Sequence, residues 1–535
     1  MKIVGLWSGH DCSFSILEDG KPVIHAEYER YIREKEPKGD SISFFLETMK
    51  NPSLEDFAHY VSVFPEKTLL SHNSINKLNA PVTFYGHHTA HAAHAFYSSK
   101  FDNALVITVD GGGVESDIGF ETATTFWQGS GTKLNFALAI PSHQCNIGGL
   151  WTRVTRSVFR MQNGWPRGHQ AGTIMAMAAL GDPNKYKNDF MKMLTSDIIP
   201  ASAKDPGQPV GAYVGTDPRH RYLGKWMDIA DRSEKDTFDL AAGFQEATEE
   251  FFREKILRPV IGDSKNLCFA GGVALNSVLV GKIKTWFPQL DNVFVPPVPY
   301  DGGLCIGASQ YHYHHVLGYP RVKWEDNFSP YLGELYSEED VMAAISENFD
   351  NITSQYKEDD VVIEALLKGK IVSVFNAGSE SGRRALGNRS ILADPRVSDM
   401  KEKINLKVKH RQWFRPFAPS ILRNHVTAWF VEDVSSPYMT HVLKFREDAK
   451  RKVSAVVHFD DSARLQTVTE NDNPWYFSLL TKWYNKTGIP ILLNTSFNDS
   501  TPIVETPKDA IKCFLSTDID YLYFVDAKQL VERKK

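Results

Sequence analysis

Two stretches far apart in the chain repeat one order of elements. Residues 3 to 27 read as strand, glycine-containing turn, strand, a tight turn at Glu18-Asp19-Gly20 and strand again; residues 104 to 139 read as a strand, an acidic glycine turn and two further strands. The repeat is of architecture, not of sequence. Helical segments follow each stretch, so the chain is expected to build a duplicated α/β core that holds ligands between its halves. Leu240, Phe244, Ala247 and Phe251 fall at spacings of four, three and four, which predicts an amphipathic helix packed on its apolar face.

At 535 residues the chain is too long for one core, and two principal domains are expected, residues 1–340 and 355–535. The break is placed in the proline-punctuated stretch from 318 to 358, where an acidic helix-like segment around Ser337 to Asp350 leads into a new strand, IVSVFNAGS. Residues 198–224 are dense in proline and glycine without a period, and read as an insertion or long loop. Disorder is excluded by 42% hydrophobic and 23% charged residues. A net charge of -5 supplies no general attraction to phosphate backbones or anionic membranes, so nucleic acid is neither required nor excluded. No apolar run approaches the ~20 residues of a membrane span. Cys12, Cys145, Cys268, Cys305 and Cys513 are scattered and lack CxxC spacing, which excludes a thiolate zinc site and fits a reducing compartment. The strand-like MKIVGLW start has no basic region followed by an apolar core, so a cytoplasmic protein is expected.

The segment GHHTAHAAHAF places His87, His91 and His94 at spacings of four and three, on one face of a helix. Two β-rich runs end in a carboxylate followed by glycines, NALVITVDGGG at Asp110 and VFVPPVPYDGG at Asp301. Imidazoles and carboxylates together suit divalent iron, manganese or zinc with a position left open for substrate. The second half carries cations instead. GRRALGNRSILADPR and KVKHRQWFRPFAP supply Arg384, Arg389, Lys409, Arg411 and Arg415, which are expected to line a pocket for phosphate oxygens. Leu386, Trp413, Phe414 and Phe417 are interleaved with them and predict partial burial, where unpaired cations call for an anionic ligand. Near the C-terminus the apolar strand IPILL runs into Asn494, Thr495, Ser496 and Asn498, polar groups able to orient a nucleotide or a small carbonyl compound.

Taken in order, GHDCSFSILEDG, HHTAH, VDGGG, AGGVALN, VPYDGG, RALGNRSILADPR, KVKHRQWFRPFAP and LLNTSFN resemble the O-carbamoyltransferase family, which carbamoylates hydroxyls of antibiotics and nodulation factors. The resemblance spans almost the whole chain. It implies an α/β protein with a duplicated N-terminal domain of the actin, hexokinase and Hsp70 type, similar to threonylcarbamoyl-transfer proteins, and a smaller α/β C-terminal domain similar to threonylcarbamoyl-adenylate synthases. The second domain would make carbamoyl adenylate from carbamoyl phosphate and ATP with magnesium, and the first would pass the carbamoyl group to a hydroxyl. Carried onto matching positions, His87, His91, Asp110 and Asp301 are the metal ligands, with iron(II) favoured over manganese or zinc. Gly271, Gly272 and Asn276 of AGGVALN would contact the adenylate, and His10 is the candidate general base. Arg384, Lys409, Arg415, Arg464 and Ser496 would act in adenylate formation, with Asn388, Asn494 and Asn498 binding the nucleotide.

The chain departs from the family pattern at Gly378, where an arginine is common, at Gln412, where glutamate is usual, at Thr173, where a lysine completes an EGK-like triplet, and at His94, where a small residue is expected. These positions bear on the acceptor and phosphate contacts. A sugar or specialised-metabolite alcohol is the expected acceptor, with a hydroxymethylated pyrimidine, free or in DNA, as the alternative; Trp165, Arg167, His169, Arg219, His220 and Arg221 are candidate walls for such a base. A sugar kinase or hydrolase of the same core fold leaves the arginine cluster unexplained, and a non-catalytic tRNA-modification partner leaves the ligand set unexplained. A homodimer is compatible with the sequence.

Overall fold

The computed structural model describes residues 1–64, 72–115, 121–142, 144–161, 170–195 and 223–534. The chain divides into two compact units, Met1–Glu29 with Lys35–Trp324, and Arg30–Glu34 with Glu325–Lys535. The division falls at Trp324, ahead of the expected 340–355 interval, because residues after it bond into the second unit. Tyr438 donates its hydroxyl to the Phe328 carbonyl at 2.6 Å, Tyr331 to the Leu386 carbonyl at 2.9 Å, and the Gly333 amide donates to the Ser379 carbonyl at 3.0 Å.

The first unit carries two five-stranded sheets. One is formed by β1 (Lys2–Trp7), β2 (Ser13–Glu18), β3 (Lys21–Glu27), β4 (Phe57–Val63) and β5 (Val82–Tyr85), in the order β3-β2-β1-β4-β5. The other is formed by β6 (Asn103–Val114), β7 (Glu121–Ser130), β8 (Lys133–Pro141), β9 (Asn266–Ala270) and β10 (Asn292–Phe294), in the order β8-β7-β6-β9-β10. In each, the first three strands form an antiparallel meander and the last two add in parallel beside the first. This identical order is the duplication expected from the sequence, the arrangement of actin- and hexokinase-type cores. Parallel neighbours require crossovers, which the intervening helices supply. Helix α1 (His87–Tyr97) lies against the second sheet, with Ala92, Ala93, Ala95 and Phe96 packed with Val106, Cys268 and Ala270. Helix α2 (Glu234–Phe251) buries Leu240, Phe244, Ala247 and Phe251, as its spacing predicts.

The second unit is a nine-stranded mixed sheet formed by β11 (Ile352–Tyr356), β12 (Val372–Phe375), β13 (Arg389–Ala393), β14 (Ala418–Leu422), β15 (His441–Lys444), β16 (Ser462–Val468), β17 (Ile491–Ser496), β18 (Tyr521–Phe524) and β19 (Gln529–Arg533). Its order is β11-β19-β18-β12-β13-β17-β14-β16-β15. Alternation sorts the central strands. Ile391, Ile421, Leu465 and Leu493 point into one core, whereas Leu392, Leu422 and Leu492 meet Leu480 and Trp483 of α3 (Pro474–Thr487) in the other. Ser390, Ser420, Gln466, Asn494 and Ser496 share the second face, where register aligns them on neighbouring strands. Among the described residues no helix is long and apolar enough to cross a membrane.

Candidate active site

In the first unit, the two sheets deliver site residues from equivalent positions. The chain leaving β1 carries His10 and Asp11, and β6, the matching strand, carries Asp110 near its end. Alternation along β6 turns Thr108 and Asp110 toward α1, where Thr108 Oγ1 meets His88 Nδ1 at 2.6 Å. His87 and His91 direct their Nε2 atoms at Asp110 Oδ2 from 3.1 and 3.0 Å, and both stand 3.5 and 3.4 Å from Asp301 Oδ1. The other Asp110 oxygen is fixed by backbone amides, accepting from Gly111 at 2.7 Å and Gly272 at 3.2 Å. Gly271 has φ of 90°, and a Cβ there would lie 2.2 Å from the Val109 carbonyl oxygen, so the turn that brings Gly272 to Asp110 needs glycine. Gly271 and Gly272 thus act on Asp110 through the backbone.

The helix itself is held for this purpose. Glu115 accepts from the Thr89 amide at 2.9 Å and the Thr89 hydroxyl at 2.8 Å, capping the first turn of α1. Trp7 packs edge-on against His87 with centroids 5.8 Å apart and donates its indole N–H to the His10 carbonyl at 2.8 Å. All eleven residues of α1 are buried, which excludes a surface helix that happens to carry histidines.

Four ligand atoms, one each from His87, His91, Asp110 and Asp301, lie within 4.8 Å of one another. Two imidazole nitrogens and two carboxylate oxygens, converging from three buried residues and the partly buried Asp110, fit a divalent transition ion, and these are the four residues expected to ligate one. His94 is not in that group. Its Nδ1 meets Ser98 Oγ at 3.1 Å, and burial, with His25 and His91 nearby, lowers it to about 3. It is a neutral ring packed below the ligands.

Charge pairing dominates the cluster. Burial alone would raise the Asp110 carboxyl, but His87 and His91 hold it well below the usual carboxylate range. Burial alone would lower His91, but hydrogen bonds and charge from Asp110 and Asp301 raise it to about 9. His10 Nδ1 lies 2.9 Å from Asp11 Oδ2 and its Nε2 3.3 Å from Asp301 Oδ2. There too desolvation opposes the charge and Asp301, Asp11 and Glu36 win, raising the ring to about 10. A general base must be neutral, so that role for His10 depends on the Asp301 charge being shared with a bound cation.

Asn276 stands elsewhere. It caps the following helix, Ser277–Trp286, accepting from the Leu279 amide at 3.1 Å, and exchanges two hydrogen bonds with Gln245 at 3.1 and 3.0 Å. Its side chain is thereby engaged within the protein, as is its neighbour Glu249, which pairs with Gln245 and Lys282. Thr173 is buried in the first turn of the helix Ala171–Ala178 and bonds to Gln170. The candidate acceptor walls Trp165, Arg167, His169, Arg219, His220 and Arg221, with nearly all of the 198–224 stretch, lie outside the described residues.

The second unit gathers cations. Arg384, Arg411, Arg415 and Arg464 are half-buried. Desolvation, followed by the charges of Arg384, Arg415 and Arg411, pushes the Arg464 guanidinium well below its ordinary value; desolvation pushes Arg415 to about 10, and Arg411 falls through desolvation and Arg415. Arg411, Arg415 and Arg464 have no carboxylate partner among the described residues, and Arg464 Nε is buried without a hydrogen bond. A like-charged group of that kind is poised for a polyanion.

Beside it, Lys409 Nζ donates to the Ser496 carbonyl at 2.5 Å and hydroxyl at 3.2 Å, and to the Asn498 carbonyl at 2.8 Å and Oδ1 at 2.6 Å. Asn494 Nδ2 donates to the Ala385 carbonyl, Ser420 Oγ and Gln466 Oε1, and Gln466 in turn donates to the Leu386 carbonyl at 2.8 Å. These bonds tie the RALG loop to the polar face of the sheet. Ser420 and Gln466 carry no signal in the sequence that would single them out.

One expectation is corrected here. Arg389 does not line the pocket: it is fully buried, donates to the carbonyls of Asn376, Asn388 and Ala377, and stacks 3.4 Å over the Phe375 ring centroid. Of the interleaved apolar residues, Leu386, Phe414 and Phe417 are buried, but Trp413 is 53% exposed. Asn388 holds structure, accepting from Asn376 and Asn473 and donating to the Gly378 carbonyl at 2.8 Å. At Gly378 a Cβ would come within 2.8 Å of the Gly333 carbonyl oxygen, so the family's arginine would need the segment around Gly333 to shift. Gln412 leaves Oε1 buried with no partner among the described residues. A glutamate there would add a negative charge to this arginine-rich segment; glutamine does not.

Residues 58–310 match the carbamoyltransferase N-terminus family model and residues 363–531 the carbamoyltransferase C-terminus model. Nodulation protein NolO of Bradyrhizobium diazoefficiens is 34% identical over 82% of this chain and 77% of its own length. The 3'-hydroxymethylcephem-O-carbamoyltransferase of Amycolatopsis lactamdurans is 29% identical over 64% of this chain and 61% of its own. Among solved structures, full-length HypF in its phosphate- and nucleotide-bound form aligns over 59% of this chain and 56% of its own at 14% identity and a TM-score of 0.35, a likeness too slight to add to the strand order.

Proposed function

The chain belongs to the carbamoyltransferase family, and from that premise we propose that it moves a carbamoyl group from carbamoyl phosphate to an acceptor hydroxyl by way of carbamoyl adenylate. The observation that carries this reading is the split of chemistry between the units: converging imidazoles and carboxylates in one, and in the other Arg411, Arg415 and Arg464, which have no carboxylate partner among the described residues.

Adenylate formation belongs to the second unit. Carbamoyl phosphate has no free carboxylate, so water must first release phosphate and leave carbamate; a carbamate oxygen then attacks the α-phosphorus of ATP and pyrophosphate departs. Both steps concentrate phosphate charge where Arg384, Arg415 and Arg464 stand. Their guanidinium groups offset the repulsion between the two substrates and the charge developing on the leaving groups. Lys409 orders Ser496 and Asn498 at the edge of this cluster.

Transfer belongs to the first unit. The acceptor oxygen attacks the carbamoyl carbon, AMP leaves, and the acceptor proton is taken up by His10 Nε2, with Asp11 fixing the ring through Nδ1. A divalent ion held by His87, His91, Asp110 and Asp301 would polarise the carbamoyl oxygen. A small-molecule alcohol is the acceptor this reading favours, in keeping with the hydroxymethyl group in the name of the cephem relative.

The test is pyrophosphate release from ATP with and without carbamoyl phosphate, combined with mass detection of a carbamoyl adduct on sugars, hydroxymethyl metabolites, nucleosides and hydroxymethylated DNA. Pyrophosphate that depends on carbamoyl phosphate, with a 43-dalton-class mass gain on one acceptor (roughly one carbamoyl replacing hydrogen), is the expected result. ADP release independent of carbamoyl phosphate would make the protein a kinase or ATPase and overturn the reading.

A further inference from the structure

The chain leaves its first unit for five residues, Arg30–Glu34, and these belong to the second. The Arg30 side chain is 3% exposed. Its Nη2 donates to the carbonyls of Glu380 and Gly382, both at 2.6 Å, and its Nη1 lies 3.4 Å from Glu505 Oε2, itself accepting from Ser379 Oγ at 2.8 Å. The bonded carbonyls immediately precede Arg383 and Arg384. At the far end of the same loop the Leu386 amide donates to Glu380 Oε1 at 2.5 Å. Arg33 treats the neighbouring loop the same way: Nη1 donates to the Ile503 carbonyl at 2.7 Å and Nη2 to the Pro502 carbonyl at 2.6 Å. The Thr501 carbonyl in that loop accepts from Asn498 Nδ2 at 2.7 Å, and Asn498 Oδ1 accepts from Lys409.

We propose that Arg30, seconded by Arg33, is a positioning residue for the phosphate site, clamping the Ser379–Gly387 loop so that Arg384 stays within the arginine cluster. Arg384 follows closely on the carbonyls that Arg30 holds and precedes the Leu386 amide that Glu380 holds, so the position of its side chain follows from that of the loop. Arg30 fixes the loop on its backbone carbonyls, with Glu505 balancing its own buried charge. The forked guanidinium spans two carbonyls and a carboxylate at once; a lysine at the same place would be a point charge on a shorter reach. The sequence of the N-terminal region therefore completes a site otherwise assembled from residues beyond 378. This inference rests on reading the arginine cluster as the phosphate site of adenylate formation.

The experiment uses the full chain with Arg30→Lys and Glu505→Gln, and inorganic pyrophosphate as the probe, with its Kd measured by calorimetry and the unliganded melting temperature recorded beside it. Both variants are expected to weaken pyrophosphate binding at least about tenfold, the loss of one charge-assisted hydrogen bond, and to raise KM for carbamoyl phosphate in parallel with kcat changed far less. A merely structural role would lower the melting temperature and leave Kd of the folded protein unchanged. Kd within about twofold of the parent in folded protein overturns the clamp; if Arg30→Lys fails to fold, the isosteric Glu505→Gln decides. A parent protein that binds pyrophosphate in this Arg30-dependent way, yet makes none from ATP and carbamoyl phosphate, sustains the clamp and refutes adenylation. A parent that does not bind pyrophosphate overturns both.

Discussion

The two candidate sites solve the problem of buried charge in opposite ways. Around His87, His91, Asp110 and Asp301 each imidazole stands within 3.5 Å of both carboxylates, and His91 and Asp110 stabilise each other's ionised form. Around Arg464 the neighbours are Arg384, Arg415 and Arg411, and after desolvation their charges make its guanidinium harder to keep charged. The first cluster is therefore stable without ligand and can afford to exchange protons for a cation. In the second, a bound anion would relieve the repulsion on Arg464. Stability and function should respond in opposite directions at the two places.

The largest effect expected from this contrast is at His91. His91→Ala should lower carbamoyl transfer by about a thousandfold while leaving pyrophosphate release intact, because it removes a ligand from one unit and touches nothing in the other. Measuring pyrophosphate and carbamoylated product in the same reaction checks it, and equal loss of both would erase the division between the sites. Next is Arg464→Met, expected to cut adenylate formation about a hundredfold yet to stabilise the unliganded protein by on the order of 1 kcal/mol, since it removes a cation that its surroundings penalise. Thermal melts with and without pyrophosphate read both halves: ligand should raise the melting temperature of the parent more than that of the variant.

The pH dependence sharpens the contrast further. In protein stripped of metal by a chelator, His91 titrates near 9 when folded and near the ordinary 6.5 when unfolded. The folded state binds the extra proton, so this contribution to stability is complete below about pH 6.5 and disappears as pH rises through 9. His10, raised to about 10, acts in the same sense, but water reaches its ring and screens it more than it does His91. Denaturant melts between pH 6 and 10 should show the decline, and Asp301→Asn should flatten it. The smallest effect is at the cap of α1. Glu115→Gln should cost about 1 kcal/mol in stability and a few-fold in transfer, without changing pyrophosphate release; an unchanged melting temperature would show that the histidine helix does not depend on this cap.

Periodicity carried much of this molecule in plain view. The two strand-turn-strand runs became the meanders β1-β2-β3 and β6-β7-β8, and the spacing of Leu240, Phe244, Ala247 and Phe251 became the buried stripe of α2. The convergence of His87, His91, Asp110 and Asp301 was legible because its chemistry is local: two histidines a helical turn apart, and two aspartates each ending an apolar run before glycines. Arg389 misled for a physical reason. A guanidinium in a basic run reads as a phosphate contact, but its plane also stacks on an aromatic ring and its fork also satisfies carbonyls, and Phe375, Asn376 and Ala377 supplied both. Asn276 and Asn388 carry the same ambiguity, since an amide suited to a nucleotide is equally suited to a helix N-terminus or a loop carbonyl, and here each is bonded within the protein.

By itself, then, the sequence determined which elements form, which residue types can bind a cation or a polyanion, and the family to which the chain belongs. These follow from short-range periodicity and from side-chain chemistry, which need no partner. Tertiary structure alone decided that His94 packs beneath the ligands instead of joining them, that Glu115 caps their helix, and that Arg30 reaches Glu505 across 475 positions of chain. A hydrogen bond is directional over about 3 Å, and nothing in sequence spacing encodes which distant atom will arrive at that distance once the sheets have closed.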